Sequence, residues 1–189
     1  MLSVISKTIL RLLGWKITGR YPHELNKFII VVMPHTSNWD FPLGLLVRSA
    51  LKARNIKFVA KDSLFKPPFG AIFRALGGYP IDRSGGLGYV DAVVKIIKRE
   101  PQFVLTVTPE GTRSKVDKLK TGFYYIALGA DVPLVLVSFD YGKKEVAWSK
   151  PFYPTGDKEK DFREILKFFE GAKGKHPELG YPPTLNAKH

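Results

Sequence analysis

The sequence predicts an α/β domain with a largely parallel central sheet flanked by helices. Short apolar runs, rich in β-branched residues, at 29–33, 56–60, 103–108 and 132–139 are long enough for buried strands and too short for helices. Segments with helical apolar spacing stand between them, at 41–54, 69–76, 89–99 and 122–128. Strands that alternate with helices require crossover connections, which is how parallel sheets are built.

Residues 2–15 open the chain with Leu2, Ile5, Ile9, Leu12 and Leu13 on one helical face and Ser3, Lys7 and Arg11 opposite. Lys16 and Arg20 follow, and no acidic residue precedes Glu24. A helix of this kind can pack on the core or lie in a membrane interface with Trp15 at headgroup level, and the one-sided positive charge favours the interface. The run 29–33 stops at Pro34, which cannot donate to a sheet ladder and so marks the strand end. Residues 41–54 read as a helix with Pro42 tolerated in its first turn. After the strand at 56–60, Pro67 and Pro68 start a new segment, and the short helix at 69–76 is ended by Gly77 and Gly78. Residues 79–83 form a brief extended piece and 84–88, Ser-Gly-Gly-Leu-Gly, a flexible one.

The helix at 89–99 turns Val90, Val93, Val94 and Ile97 inward, and the strand at 103–108 again ends at a proline, Pro109. A basic stretch at 115–120 leads to the helix at 122–128. The strands at 132–139 and 145–148 pair through a turn at 141–144, and 157–169 is a last helix with Phe162, Ile165, Leu166 and Phe169 on one face. The Gly-, Pro- and Lys-rich remainder is expected to be loosely held. The resulting division is an amphipathic, membrane-associating helix at 1–20, a folded domain at 21–172 and a loosely ordered tail at 173–189.

At 189 residues the chain can bury a substantial core. It has no cysteine, which removes disulfides, thiol chemistry and the commonest zinc ligand. Its formal charge of +13 predicts an anionic partner: nucleic acid, an acidic membrane surface or a phosphorylated substrate. No apolar run approaches the roughly 20 residues needed to span a bilayer.

The strands ending at Met33 and Thr108 both close with proline followed by polar and charged residues. In a parallel sheet both ends open onto one edge, where such sheets place their ligands. His35, Asp40, Glu110, Thr112 and Arg113 are therefore expected to share a cleft, with Arg83 joining from the extended piece before it. A carboxylate that fixes the tautomer of a histidine makes a general base. No G-x-S-x-G, H-E-x-x-H or P-loop motif accompanies it, so neither a serine nucleophile nor a mononuclear zinc site is indicated. A base without a nucleophile suits deprotonation of a substrate hydroxyl, and arginine forks suit a phosphate. Each piece has a plainer reading, as a structural histidine hydrogen bond or a turn with a surface ion pair, and the case rests on their combination.

Four motifs in order resemble the glycerolipid acyltransferases, the family that contains the bacterial 1-acylglycerol-3-phosphate (lysophosphatidic acid) acyltransferases. Pro34-His35-Thr36-Ser37-Asn38-Trp39-Asp40 is similar to the H-x4-D motif, Gly78 to Arg83 to the arginine motif, and Thr108-Pro109-Glu110-Gly111-Thr112-Arg113-Ser114 to F-P-E-G-T-R-S. Val132-Pro133 and the residues to Val137 partly match the fourth motif, and the segment from Lys61 to Phe65 looks like the family's lysine-containing stretch. Pro34 stands in place of the usual Asn, Pro80 and Thr108 where Phe is typical, and Leu136 in place of a second proline. The resemblance implies that His35, oriented by Asp40, deprotonates the acceptor hydroxyl, which attacks an acyl thioester. It also implies that Arg83, Glu110, Gly111, Thr112, Arg113 and Lys61 bind substrate, and that Glu110 organises Arg113 and its loop or bonds an acceptor hydroxyl.

The expected reaction is acylation of a lysophospholipid, above all 1-acyl-sn-glycerol-3-phosphate to phosphatidic acid, on the cytoplasmic face of an anionic membrane. No metal and no resident cofactor are implied; acyl-CoA or an acyl carrier protein is the donor substrate. The alternatives are another lysolipid acceptor, such as a lyso-aminolipid, and a non-catalytic basic module for membrane or RNA. Nucleic acid is disfavoured, because the charge is spread along the chain without the aromatic-basic pattern of RNA-recognition domains.

Overall fold

The computed structural model describes residues 2–53, 55–81 and 88–181. In chain order the elements are α1 (Leu2–Leu12), β1 (Lys16–Thr18), β2 (Lys27–Met33), α2 (Asp40–Ala50), β3 (Ile56–Lys61), α3 (Gly70–Ala75), β4 (Gly78–Ile81) and α4 (Tyr89–Arg99). They continue with β5 (Phe103–Val107), α5 (Gly122–Ala130), β6 (Leu134–Asp140), β7 (Glu145–Trp148) and α6 (Lys158–Phe169). Among the described residues the strands form one sheet in the order β1-β7-β6-β2-β5-β3-β4. The five from β6 to β4 in that order are parallel, β7 is antiparallel to β6, and β1 pairs parallel with β7. This is the predicted class, a largely parallel sheet between helices.

The continuous apolar run of β2 has a direct cause: both of its faces are buried. Ile29, Val31 and Met33 enter one core with Val93 and Ile97 of α4, Phe123 and Ile126 of α5, and Phe162 and Ile165 of α6. Phe28, Ile30 and Val32 enter the other with Leu10 of α1 and Leu43, Val47 and Ala50 of α2. The strand therefore lies at the centre of three layers, between β5 and β6, and its carboxyl end cannot move independently of either neighbour.

Two elements differ from expectation. β1 was not foreseen: three residues at a sheet edge are too few to show a period. The helix expected over 41–54 runs instead over Asp40–Ala50, and Lys52 then takes a left-handed φ of 57° that no helix can continue through.

The helix α1 docks by its small polar residues. Ser3 Oγ donates to Ala50 O at 2.9 Å, Ser6 Oγ donates to Ser49 Oγ at 2.8 Å, and Leu10 fills the core beneath. Leu2, Val4, Ile5, Ile9, Leu12 and Leu13 remain exposed, Leu12 at 81 %. The apolar stripe read from the sequence is thus not the face that holds the helix to the domain. Among the described residues, no helix is long and apolar enough to cross a membrane.

Candidate functional site

Because β2, β3, β5 and β6 are parallel, their carboxyl ends open on one edge of the sheet. Val31 pairs with Val107, so the chain leaving β2 through Pro34 and the chain leaving β5 through Thr108 run side by side. They are tied together beyond the sheet: the His35 backbone N–H donates to Glu110 Oε2 at 2.7 Å.

Asp40 is the first residue of α2, where a helix N-terminus favours negative charge. Its side chain is only 4 % exposed and is fully engaged. Oδ2 lies 2.9 Å from His35 Nδ1 and accepts the Ser37 backbone N–H at 3.1 Å. Oδ1 accepts the Tyr141 hydroxyl at 2.7 Å. With Nδ1 held by a carboxylate, Nδ1 carries the proton and Nε2 is the imidazole nitrogen left to act as acceptor. Burial, and then the carboxylate it faces, push the Tyr141 phenol far above its ordinary range, so Tyr141 is a donor throughout the neutral range.

Glu110 is 2 % exposed. Burial raises its pKa, opposed by the backbone N–H groups of His35 and Tyr181 and the charge of His35. Glu110 therefore grips the histidine-bearing loop. A carboxyl whose folded pKa lies above its unfolded value binds its proton more tightly in the native state. Its contribution to stability is complete below the ordinary 4.5 and is lost as pH rises through the raised folded value. Denaturant unfolding over a pH series is expected to show this decline in the wild type and a flatter profile in Glu110→Gln, which keeps an acceptor for His35 N–H but does not ionise. Parallel profiles would rule Glu110 out as the source.

The loop after Glu110 carries the remaining motif residues. Gly111 has a φ of 65°, a left-handed conformation that favours glycine, and the Lys120 side chain lies where a Cβ would project. Thr112 Oγ1 accepts the Ser114 backbone N–H at 3.3 Å, and Thr112 and Arg113 are exposed beside the site. Lys61 ends β3 on the same sheet edge, its backbone paired with Ile81. Arg83 lies outside the described residues, as does most of the segment 84–88 expected to be flexible. Direct hydrogen bonds thus join His35, Asp40 and Glu110, and Gly111, Thr112 and Arg113 follow on the same loop.

Sequence reasoning missed two parts of the site. Tyr141 falls in the turn expected at 141–144, although a strand parallel to β2 must deliver its last residues to the same edge. The second part is the segment from Gly171 to Tyr181, which straps this edge. Tyr141 N–H donates to Lys173 O at 2.8 Å, Lys173 N–H reaches Asp140 Oδ1 at 3.4 Å, and His176 N–H donates to Thr36 Oγ1 at 3.1 Å. A Cβ on Gly174 would overlap the buried Thr36 side chain, and Lys175 Nζ sits 4.7 Å from the centre of the Trp39 ring. Tyr181 is buried in the core. Residues 173–181, expected to be loosely ordered, are held, because the segment's backbone groups satisfy polar groups on this sheet edge.

Residues 15–140, more than half of the chain, match the model of a family described as Acyltransferase. No curated protein matches the chain.

Proposed function

The chain belongs to the acyltransferase family, and from that membership we propose that it moves a fatty acyl group from an acyl thioester to the free hydroxyl of a lysophospholipid. The observation that carries this is the His35 Nδ1–Asp40 contact of 2.9 Å at the sheet edge, beside a loop that carries Arg113. His35 Nε2 takes the proton of the acceptor hydroxyl as its oxygen attacks the thioester carbonyl carbon. The C–O bond forms, the tetrahedral oxyanion collapses and the C–S bond breaks. The leaving thiolate takes the proton back from the imidazolium, giving an ester and a free thiol. Asp40 stabilises the imidazolium between these steps and does not itself become protonated.

The acceptor we favour is 1-acyl-sn-glycerol-3-phosphate, giving phosphatidic acid. Arg113 and Arg83, with Gly111, Thr112 and Lys61, supply cations and donors for its phosphate. Arg113→Ala is expected to raise the acceptor KM about tenfold or more, the loss of one charge-assisted contact, with kcat little changed. Arg83→Ala tests the same point. An unchanged KM in both variants points to an acceptor without phosphate, such as a lyso-aminolipid. The deciding experiment offers purified enzyme a panel of lysolipids with labelled acyl-CoA and labelled acyl carrier protein, and identifies the product.

The enzyme is proposed to work on an anionic membrane surface as a peripheral protein, at the cytoplasmic face. The support is α1, whose apolar stripe is exposed while Lys7 and Arg11 stand ready for acidic headgroups. Each of its large side chains gains up to about 1.5–3 kcal/mol if fully removed from water. Ile5→Ser with Leu12→Ser is therefore expected to weaken binding to phosphatidylglycerol vesicles roughly tenfold or more, tenfold being about 1.4 kcal/mol. Both side chains are exposed, so unfolding midpoints should stay near wild type. Unchanged vesicle sedimentation would remove α1 from the membrane interface.

A further inference from the structure

We propose that Tyr141 is a positioning residue that locks the Asp40 carboxylate, and that Trp15, at the foot of α1, locks Tyr141. A carboxylate turns easily about its last torsion, which is broad and two-fold. On Asp40 the His35 ring and the Ser37 N–H hold one oxygen, and among the described residues only Tyr141 holds the other. With a donor on each oxygen the carboxylate plane is fixed, and with it the direction of the imidazole.

Tyr141 is itself held at two points. Its backbone N–H is bound by Lys173 O at 2.8 Å. Its ring meets Trp15 edge-on, with centroids 4.9 Å apart and planes at 88°, a favoured aromatic geometry. Trp15 in turn is fixed where α1 ends, its N–H donating to Leu10 O at 2.8 Å. A continuous line of contacts therefore runs from α1 through Trp15, Tyr141 and Asp40 to His35. Tyr141 lies just beyond the residues that match the acyltransferase family, so the role is read from this chain's own geometry.

The kinetic part of the test rests on the acyl-transfer reading; the spectroscopic part does not. In wild-type protein the His35 Nδ1–H is expected to give a slowly exchanging downfield proton resonance, assigned by its loss in His35→Ala. Tyr141→Phe should make that proton exchange faster or broaden it away. It should lower kcat about 10–100-fold, by analogy with outer-shell partners that orient metal-ligating side chains, with acceptor KM little changed. Trp15→Ala should shift both readouts the same way by less, and Trp15→Phe, which restores an aromatic edge, should return them toward wild type. A Tyr141→Phe protein that is folded by circular dichroism, with unchanged exchange and a kcat within about twofold of wild type, overturns the proposal, being far short of the expected effect. If Tyr141→Phe does not fold, Trp15→Ala decides: an unmoved His35 resonance overturns the proposal. If wild-type protein transfers no acyl group while the resonance responds as described, the positioning role stands and the reaction assignment falls.

Discussion

Replacing His35 by alanine is expected to lower kcat for acyl transfer by about 10²–10⁴-fold, the contribution of a positioned general base. The acceptor KM should change little, because Nε2 acts on the proton in transit and contributes little to ground-state binding. The variant should fold. Asp40 keeps the Ser37 N–H on one oxygen and the Tyr141 hydroxyl on the other, so its buried charge is not abandoned. Glu110 keeps its bond to the backbone at position 35, which the substitution does not alter. Single-turnover measurement with a labelled acyl thioester separates the chemical step from product release. A folded His35→Ala protein with kcat within tenfold of wild type would take His35 out of the mechanism, because a general base contributes at least about 10²-fold.

Asp40→Asn should also lower kcat, by up to about 10⁴-fold, although it changes one atom. An asparagine that keeps its oxygen toward the Ser37 N–H presents its amide donor to Tyr141, whose hydroxyl must then turn to accept. An asparagine flipped the other way aims that donor at His35 and Ser37 together. The imidazole must then accept at Nδ1 and carry its proton on Nε2, the nitrogen required as the base. The first orientation keeps the tautomer but replaces a full charge by a neutral amide, so the imidazolium is less stabilised; the second gives the wrong tautomer, an exchange that in serine proteases costs on the order of 10⁴ in kcat. Imidazole nitrogen NMR should report which orientation is adopted, and circular dichroism an unchanged fold. Retention of wild-type turnover would mean that Asp40 serves only to hold the 35–37 loop and Tyr141 in place.

The parts of this fold that were legible in sequence were those whose side chains carry the information. The run 29–33 and the strand at 103–107 are apolar on both faces because both faces are buried, and the prolines that end them sit where the sheet edge opens. That alone placed His35, Asp40 and Glu110 together. The same logic fails for β1, which is short and at an edge, where pattern and pairing give little signal. Tyr141 was hidden for a different reason: its partner is Asp40, and no local pattern encodes a contact over that separation. The docking face of α1 was hidden because serines, not leucines, make it. The segment 171–181 has the composition of a disordered tail, yet Lys173 and His176 hold it through backbone atoms, which are the same whatever the side chain.

That last segment also bears on when the protein can become active during its synthesis. β2 and the histidine loop leave the ribosome early, but the amide bound by Thr36 and the carbonyl bound by Tyr141 belong to residues 176 and 173. Contacts of such long sequence separation form late, because the loop they close must be ordered before they can contribute. A nascent chain stalled before residue 181 would hold a dyad whose loop is uncovered on one side. Completion of this edge thus waits until residues 173 and 176 have emerged, long after β2, and a polypeptide interrupted before them should form most of the sheet without an ordered edge.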